Sequence, residues 1–239
     1  MATIISAKSV STGGERTFFF AMAIAIAATA VIGFSFARIM GNSSFASPWW
    51  VHVHALTMMG WVTLYLVQNA LIWRGNVAYH RQLGVLAAVW SVWMVPVGFA
   101  ATAMSIAAHR PPPFFDMPFF LVMDWLNVIT FAGLAWAGLI MRGRSDWHKR
   151  LMLGGTIAVL GPAWGRLLPL PLLGNYVVWP ILAILLIYLA VAMIYDIRTR
   201  GKVHPAHYWS VSAMILFVVS IGPIASLPAV IAYTASLIG

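Results

Sequence analysis

Apolar runs of bilayer-crossing length leave this chain few ways to fold. Seven stand out, near Arg16–Arg38, Trp49–Trp73, Leu83–Ala108, Pro118–Met141, Leu151–Leu168, Tyr176–Tyr195 and Tyr208–Leu237. A helix needs about 20 predominantly apolar residues to cross the hydrocarbon core. Backbone N–H and C=O groups in lipid must be satisfied internally, so each run is expected to be a helix. The short connections make sequential helices antiparallel hairpins. Hydrophobic residues are 62% of the 239 and charged residues only 8%, against about 25% charged in soluble domains, so a water-facing surface could hardly be built. The fold class read here is all-α: a polytopic helix bundle in contact with the lipid bilayer. Residues 1–15 form a cytoplasmic N-terminal segment and residues 16–239 a single seven-helix transmembrane domain. The first run is too long for a signal peptide and lacks a convincing cleavage site, so it reads as a retained anchor.

Lys and Arg set the orientation. With the N-terminus inside and the C-terminus outside, the inner loops hold Lys8, Arg16, Arg74, Arg81, Arg142, Arg144, Lys149, Arg150, Arg198, Arg200 and Lys202, which is 11 of the 14 basic residues. Only Arg38, Arg110 and Arg166 fall outside. That is a strong positive-inside bias, pointing to a bacterial inner membrane. Trp49, Trp50, Trp73, Trp147, Tyr176, Trp179, Tyr208 and Trp209 fall at predicted helix ends, as an aromatic belt would. The net charge of +9 does not indicate nucleic acid, because the basic residues are scattered in short clusters between apolar runs. Cysteine is absent, which removes disulfides, iron–sulfur ligands and thiolate nucleophiles.

The stretch from Leu71 to Leu83 aligns without gaps on that from Leu139 to Leu151: helix end, Arg-Gly, a short turn, an aromatic, His, a basic residue, then a new helix. A weaker third copy runs from Arg200 to Tyr208. Two explanations stay open: three repeated hairpins added to the first helix, or inner loops that converge independently on Arg-Gly turns.

The candidate chemistry lies at the two ends of the predicted bundle. On the inner side His80 and His148 occupy equivalent places in the repeat, and with His207 they could ligate a metal or a haem iron as neutral imidazoles. The competing reading makes them interfacial residues at headgroup depth. On the outer side His54 begins a stripe through Met58, Trp61, Tyr65 and Gln68 that should face protein rather than lipid. Asp124, with Asn127 one turn on, is the acidic residue expected well inside a span, and Arg166 lies near the outer end of the fifth helix. Ionisable groups in a membrane usually pair or serve function, so Asp124 and Arg166 are expected to form an ion pair. That pair could be purely structural, or it could share a polar pocket with His54. Asp146 and Asp196 are expected at the interface, with no acidic partner embedded beside the inner histidines.

Several of these motifs resemble a family of bacterial multi-spanning membrane proteins known only as a domain of unknown function. The resemblance rests on His54 followed by Gly60, His80-Arg81 with Leu83-Gly84, His148-Lys149-Arg150, and Arg166 near the end of the next helix. It covers roughly Trp49 to Pro171 and implies no activity. Val51-His52-Val53-His54-Ala55-Leu56 with Gly60-Trp61 also looks like the haem-ligand helix of haem–copper oxidase-type proteins. That likeness implies His54 or His52 as an axial ligand. The later-helix histidines of an oxidase are missing, so it implies no oxygen-reducing centre.

The leading functional expectation is a b-type haem-binding redox or electron-carrying subunit, with His54, His80, His148 and Arg166 around the cofactor. Metal ligation would draw on His54, His80, His148 and His207. The principal alternative is a non-catalytic accessory or assembly subunit of a larger membrane complex. A small transporter or channel using the Asp124–Arg166 region as a gate or proton relay, and a three-histidine lipid hydrolase, carry less support; Asp124, Asn127 and Gln68 are the other polar residues expected inside the spans. No reaction is assigned by the sequence.

Overall fold

The computed structural model describes residues 12–238, so Lys8 and most of the predicted N-terminal segment lie outside the described residues. The fold is all-helical, with no strand among the described residues. Its elements are α1 (Thr12–Ile39), α2 (Trp49–Trp73), α3 (Val77–Ala107), α4 (Met117–Ile140), α5 (Ser145–Ala158), α6 (Gly161–Gly165), α7 (Leu170–Leu173), α8 (Val178–Arg200), α9 (Pro205–Ala225) and α10 (Pro228–Ile238). Six helical stretches are long and apolar enough to cross a membrane: Gly13–Ile39, Trp49–Trp73, Val77–Ala107, Met117–Gly143, Pro171–Arg200 and Pro205–Ala225. The chain is thus built as a multi-pass membrane protein. Trp49, Trp73, Tyr176, Trp179, Tyr208 and Trp209 of the expected belt are exposed at helix ends.

Proline explains where the observed helices depart from the expected ones. The fifth run does not form one helix: α5 stops at Ala158 and α6 begins at Gly161. Pro162 has no N–H, so the Ala158 carbonyl four residues back loses its helical donor. The side chain of Asn127 in α4 supplies a substitute, donating to Ala158 O at 2.8 Å. The seventh run likewise divides into α9 and α10, with Pro223 inside α9 and Pro228 opening α10. α3 starts at Val77, six residues before the expected Leu83, which brings His80 into its first turn.

Two of the three Arg-Gly turns put their glycine in the left-handed region. Gly75 has φ +80° and Gly201 φ +75°, the left-handed geometry that glycine adopts without a Cβ penalty. After α2, Asn76 N–H reaches Leu71 O at 2.8 Å and Gly75 N–H reaches Ile72 O at 3.1 Å, a Schellman closure. The middle copy closes through a 3-10 turn at Met141–Gly143 instead.

Side-chain contacts fix which ends lie together. At one end Trp73 Nε1 donates to Thr17 at 3.3 Å, and Glu15, Lys149, Arg150, Asp196 and Arg200 share ion pairs. This charged end gathers the starts of α1, α3, α5 and α9 and the finishes of α2, α4 and α8. At the opposite end Arg110 donates to Ser47 at 3.3 Å and Asn175 to Asp116 at 2.7 Å. The largest apolar core runs between them, through Ile26 of α1, Leu153 and Ile157 of α5, Leu189 of α8 and Ile221 of α9. Gly154 and Gly155 let α5 press close to Ser210 of α9 and to the α4 backbone at Phe131, where a Cβ would collide or crowd.

Candidate functional site

The α2 stripe faces inward as its spacing requires. Trp61, Tyr65 and Gln68 are buried, while His54 and Met58 are half-buried. Trp61 Nε1 donates to Thr156 of α5 at 3.3 Å. His54 and Gln68 are fourteen residues apart on one helix, about 21 Å along its axis. They therefore belong to different ends of the bundle, and the candidate residues divide with them.

At the charged end, His80 and His148 come together. Each is the fourth residue of its helix, and their ring centroids lie 6.3 Å apart with planes at 78°. His148 Nδ1 lies 2.8 Å from the Gly138 carbonyl. A carbonyl only accepts, so Nδ1 carries the proton and Nε2 is left with its lone pair. His80 Nδ1 is buried and makes no hydrogen bond of acceptable geometry, although the ring lies beside the Gln68 backbone. Gln68 Oε1 is also buried without a partner.

His207 does not join this pair. It is fully buried with Nε2 3.1 Å from Asp196 Oδ2, and among the described residues no group of three or more His, Asp or Glu is arranged to hold a metal ion. The expected His54, His80, His148 and His207 ligand set thus reduces to two rings at one place. A three-histidine hydrolase centre is not formed among the described residues.

The expectation that no acidic partner lies beside the inner histidines is also overturned. α8 continues past Tyr195 to Arg200, so Asp196 falls inside the bundle and is buried. It accepts from Arg150 Nε at 2.8 Å and forms a second, shorter contact with Arg150 Nη2. Arg150 is itself fully buried, donates to Asp146 O at 3.0 Å and reaches Glu15 of α1 at 3.3 Å. Lys149 also pairs with Glu15, at 2.6 Å. His204 caps α9: its Nδ1 accepts from Ala206 N–H at 3.2 Å, so the proton of the neutral ring sits on Nε2, 3.1 Å from Asp146 Oδ2. Burial alone would raise the Asp146 carboxyl, but the His204 hydrogen bond and the Trp147 N–H outweigh it and hold the group below its ordinary range. Burial lowers His204, against the opposing pull of Asp146.

The opposite end holds His54, Asp124 and Arg166, but not as an ion pair. Asp124 Oδ2 accepts from Thr102 at 3.3 Å. Arg166 ends the short α6 and turns back along it, donating to Pro162 O at 2.7 Å with its guanidinium 4.2 Å from the Phe34 ring centre. No Asp124–Arg166 contact within 4.0 Å exists among the described residues. His54 Nδ1 and Trp164 Nε1 are buried without partners, and His52 Nε2 lies 3.1 Å from Ser47 O. The proposed four-residue cofactor set therefore splits, with His54 and Arg166 at this end and His80 and His148 at the other.

No family model matches this chain, and neither a curated protein nor a solved structure is significantly similar to it. Fold and site geometry define it as a multi-pass helical membrane protein with a paired-histidine centre at its charged end.

Proposed function

We propose that this chain is a seven-crossing subunit of a bacterial inner membrane, N-terminus inside, that carries electrons on a b-type haem held between His80 and His148. α5 and α6 together supply the seventh crossing. α5 starts among the ion pairs of the charged end, whereas α6 packs against Gly33 in the second half of α1. Basic residues crowd the charged end, as a cytoplasmic face requires.

The observation that carries the haem reading is the ring separation of 6.3 Å. Two bonds of about 2.0–2.1 Å to one metal, with the half-widths of two imidazoles, span roughly that distance. The His148–Gly138 contact is the usual outer support for a ligating imidazole: Nδ1–H on a carbonyl fixes the ring and frees Nε2. The positive end of a helix dipole is a poor place for imidazolium and a good one for a neutral ligand, and both residues sit in first helical turns. A bis-histidine haem supplies one-electron transfer with no open coordination position. Two cavities of about 400 and 360 Å³ touch no histidine, so the support lies in the ring pair and not in a cavity.

The test is a haem assay on detergent-purified protein expressed with adequate haem supply. About one haem b per chain is expected, with loss of most of it in His80→Ala and in His148→Ala. Wild-type protein free of haem overturns the reading and brings the accessory-subunit alternative forward.

A further inference from the structure

The opposite end carries a cleft in which no histidine takes part. It has a volume of about 400 Å³ and lies between the start of α4, the turn before α8 and the second half of α9. Small-molecule sites commonly measure about 300–1,000 Å³. Phe119 and Val218 give it apolar walls, and the exposed Tyr176 and Trp179 stand along it. Asn175, also in the lining, ties it to a carboxylate: its Nδ2 donates to Asp116 Oδ2 at 2.7 Å. Asp116 also stands one helical turn before Phe119, so its carboxylate lies at the rim of the cleft.

That carboxylate differs from every other in the chain. Of the five acidic residues, Glu15, Asp146 and Asp196 meet Lys, Arg or His side chains, and Asp124 is held by Thr102. Asp116 is exposed, and no basic side chain lies within 4.0 Å of it among the described residues. An aspartate at a helix N-cap ordinarily spends its carboxylate on the N–H groups of the first turn. Asp116 holds the N-cap position of α4 but makes no such bond. Its Oδ2 is taken by Asn175, and its Oδ1 has no hydrogen-bond partner among the described residues.

A negative rim over an apolar, aromatic cleft selects a positive head on an apolar chain. We propose that this cleft docks a cationic amphiphile, an ammonium head carried on an alkyl chain. The ammonium lies against the Asp116 carboxylate and the rings of Tyr176 and Trp179, whose faces attract cations, and the chain fills the cleft. An anionic head is repelled by Asp116. A zwitterionic phospholipid brings a phosphate, and no Lys or Arg lines the cleft to receive it. A neutral alcohol fills the same walls but gains nothing from the charge at the rim. The assignment goes beyond the haem reading and does not rest on it, because no residue is shared.

The test is equilibrium binding to the full-length protein in a non-ionic detergent, referenced to protein-free micelles. Four probes are used: decyltrimethylammonium, decanol, decyl sulfate and a short-chain phosphatidylethanolamine. Saturable binding of the ammonium is expected, about tenfold tighter than that of decanol. The phospholipid should bind more weakly than the ammonium, and decyl sulfate weakest of all, despite the chain's net charge of +9. Asp116→Asn keeps an acceptor for Asn175 Nδ2 and removes only the charge. It should weaken the ammonium about three- to fivefold and leave decanol unchanged. Gly222 lines the cleft with open space around its Cβ position, so Gly222→Leu adds bulk there and should abolish saturable binding while the thermal unfolding midpoint holds. No saturable binding of the ammonium, equal or tighter binding of any other probe, or wild-type affinity in Asp116→Asn or Gly222→Leu would each overturn the proposal.

Discussion

The two ends of this bundle hold buried charge in opposite ways. At the charged end Arg150 and Asp196 are both buried, bonded twice to each other, and linked through Glu15, Lys149, Asp146 and His204 to α1, α5, α8 and α9. At the opposite end Asp124 is held by one hydroxyl, and Arg166 by its own helix and an aromatic face. Paired groups lock helices together, because separating them strands a charge in low dielectric. Groups satisfied one at a time, like Asp124 and Arg166, tie fewer helices together. The charged end is thus the rigid frame on which His80 and His148 are set, and the opposite end is the more adaptable one.

The sharpest way to break that contrast is to remove one cation from each end. Arg150→Met leaves Asp196 buried without its partner and is expected to cost about 3–5 kcal/mol, enough to lose most folded protein in a thermal unfolding assay. Arg150→Met with Asp196→Leu together should recover much of it, since a matched apolar pair is often neutral. Arg166→Met breaks no ion pair and should cost about 1 kcal/mol or less. An Arg166 variant as unstable as the Arg150 variant would erase the difference between the ends.

A smaller effect is expected at the helix break. Asn127→Leu strands the Ala158 carbonyl, for a cost of about 1–3 kcal/mol. Asn127→Asp leaves the same carbonyl without a donor at neutral pH and should be no milder. An Asn127→Leu protein that melts like wild type would show that the break is held by backbone geometry alone.

The smallest is a pH effect at the charged end. The native-state values of His204 and Asp146 both lie below their ordinary ones. A lowered value means the folded state binds fewer protons than the unfolded chain, so the contribution is complete above the unfolded value and lost as pH falls through the folded one. For His204 the decline begins near pH 6.5 and for Asp146 near pH 4, about their reference values. The melting temperature should therefore drop by a few degrees between about pH 7 and pH 5, and less in His204→Asn. A wild-type profile flat over that range would remove His204 from the clamp.

How much of this the sequence discloses depends on whether depth or direction is asked of it. Depth is legible: hydropathy places the spans, and basic residues collect at one end. Direction is legible only where periodicity carries it. The His54–Gln68 stripe repeats at helical spacing and faces inward, and the repeated loop puts His80 and His148 at matching places in adjoining hairpins. Asp124 and Arg166 share a depth, but nothing in their spacing says that α6 turns the guanidinium back onto Pro162 and Phe34. The Arg150–Asp196 pair is hidden for the converse reason: both stand near run ends and read as interfacial, and only the packing of α5 against α8 and α9 encloses them. Gly161-Pro162 marks the break in the fifth run, yet an unbroken apolar stretch masks it, and the donor that makes it tolerable, Asn127, comes from another helix.

The proposed haem lies between His80 and His148 at the charged end, away from His54. Dithionite-reduced minus oxidised absorption spectra of wild type, His148→Ala and His54→Ala, purified side by side, test this directly. The expected result is a Soret band with sharp reduced α and β bands in wild type and in His54→Ala, and their collapse in His148→Ala. A featureless wild-type spectrum, or bands that vanish with His54 and survive without His148, would contradict it.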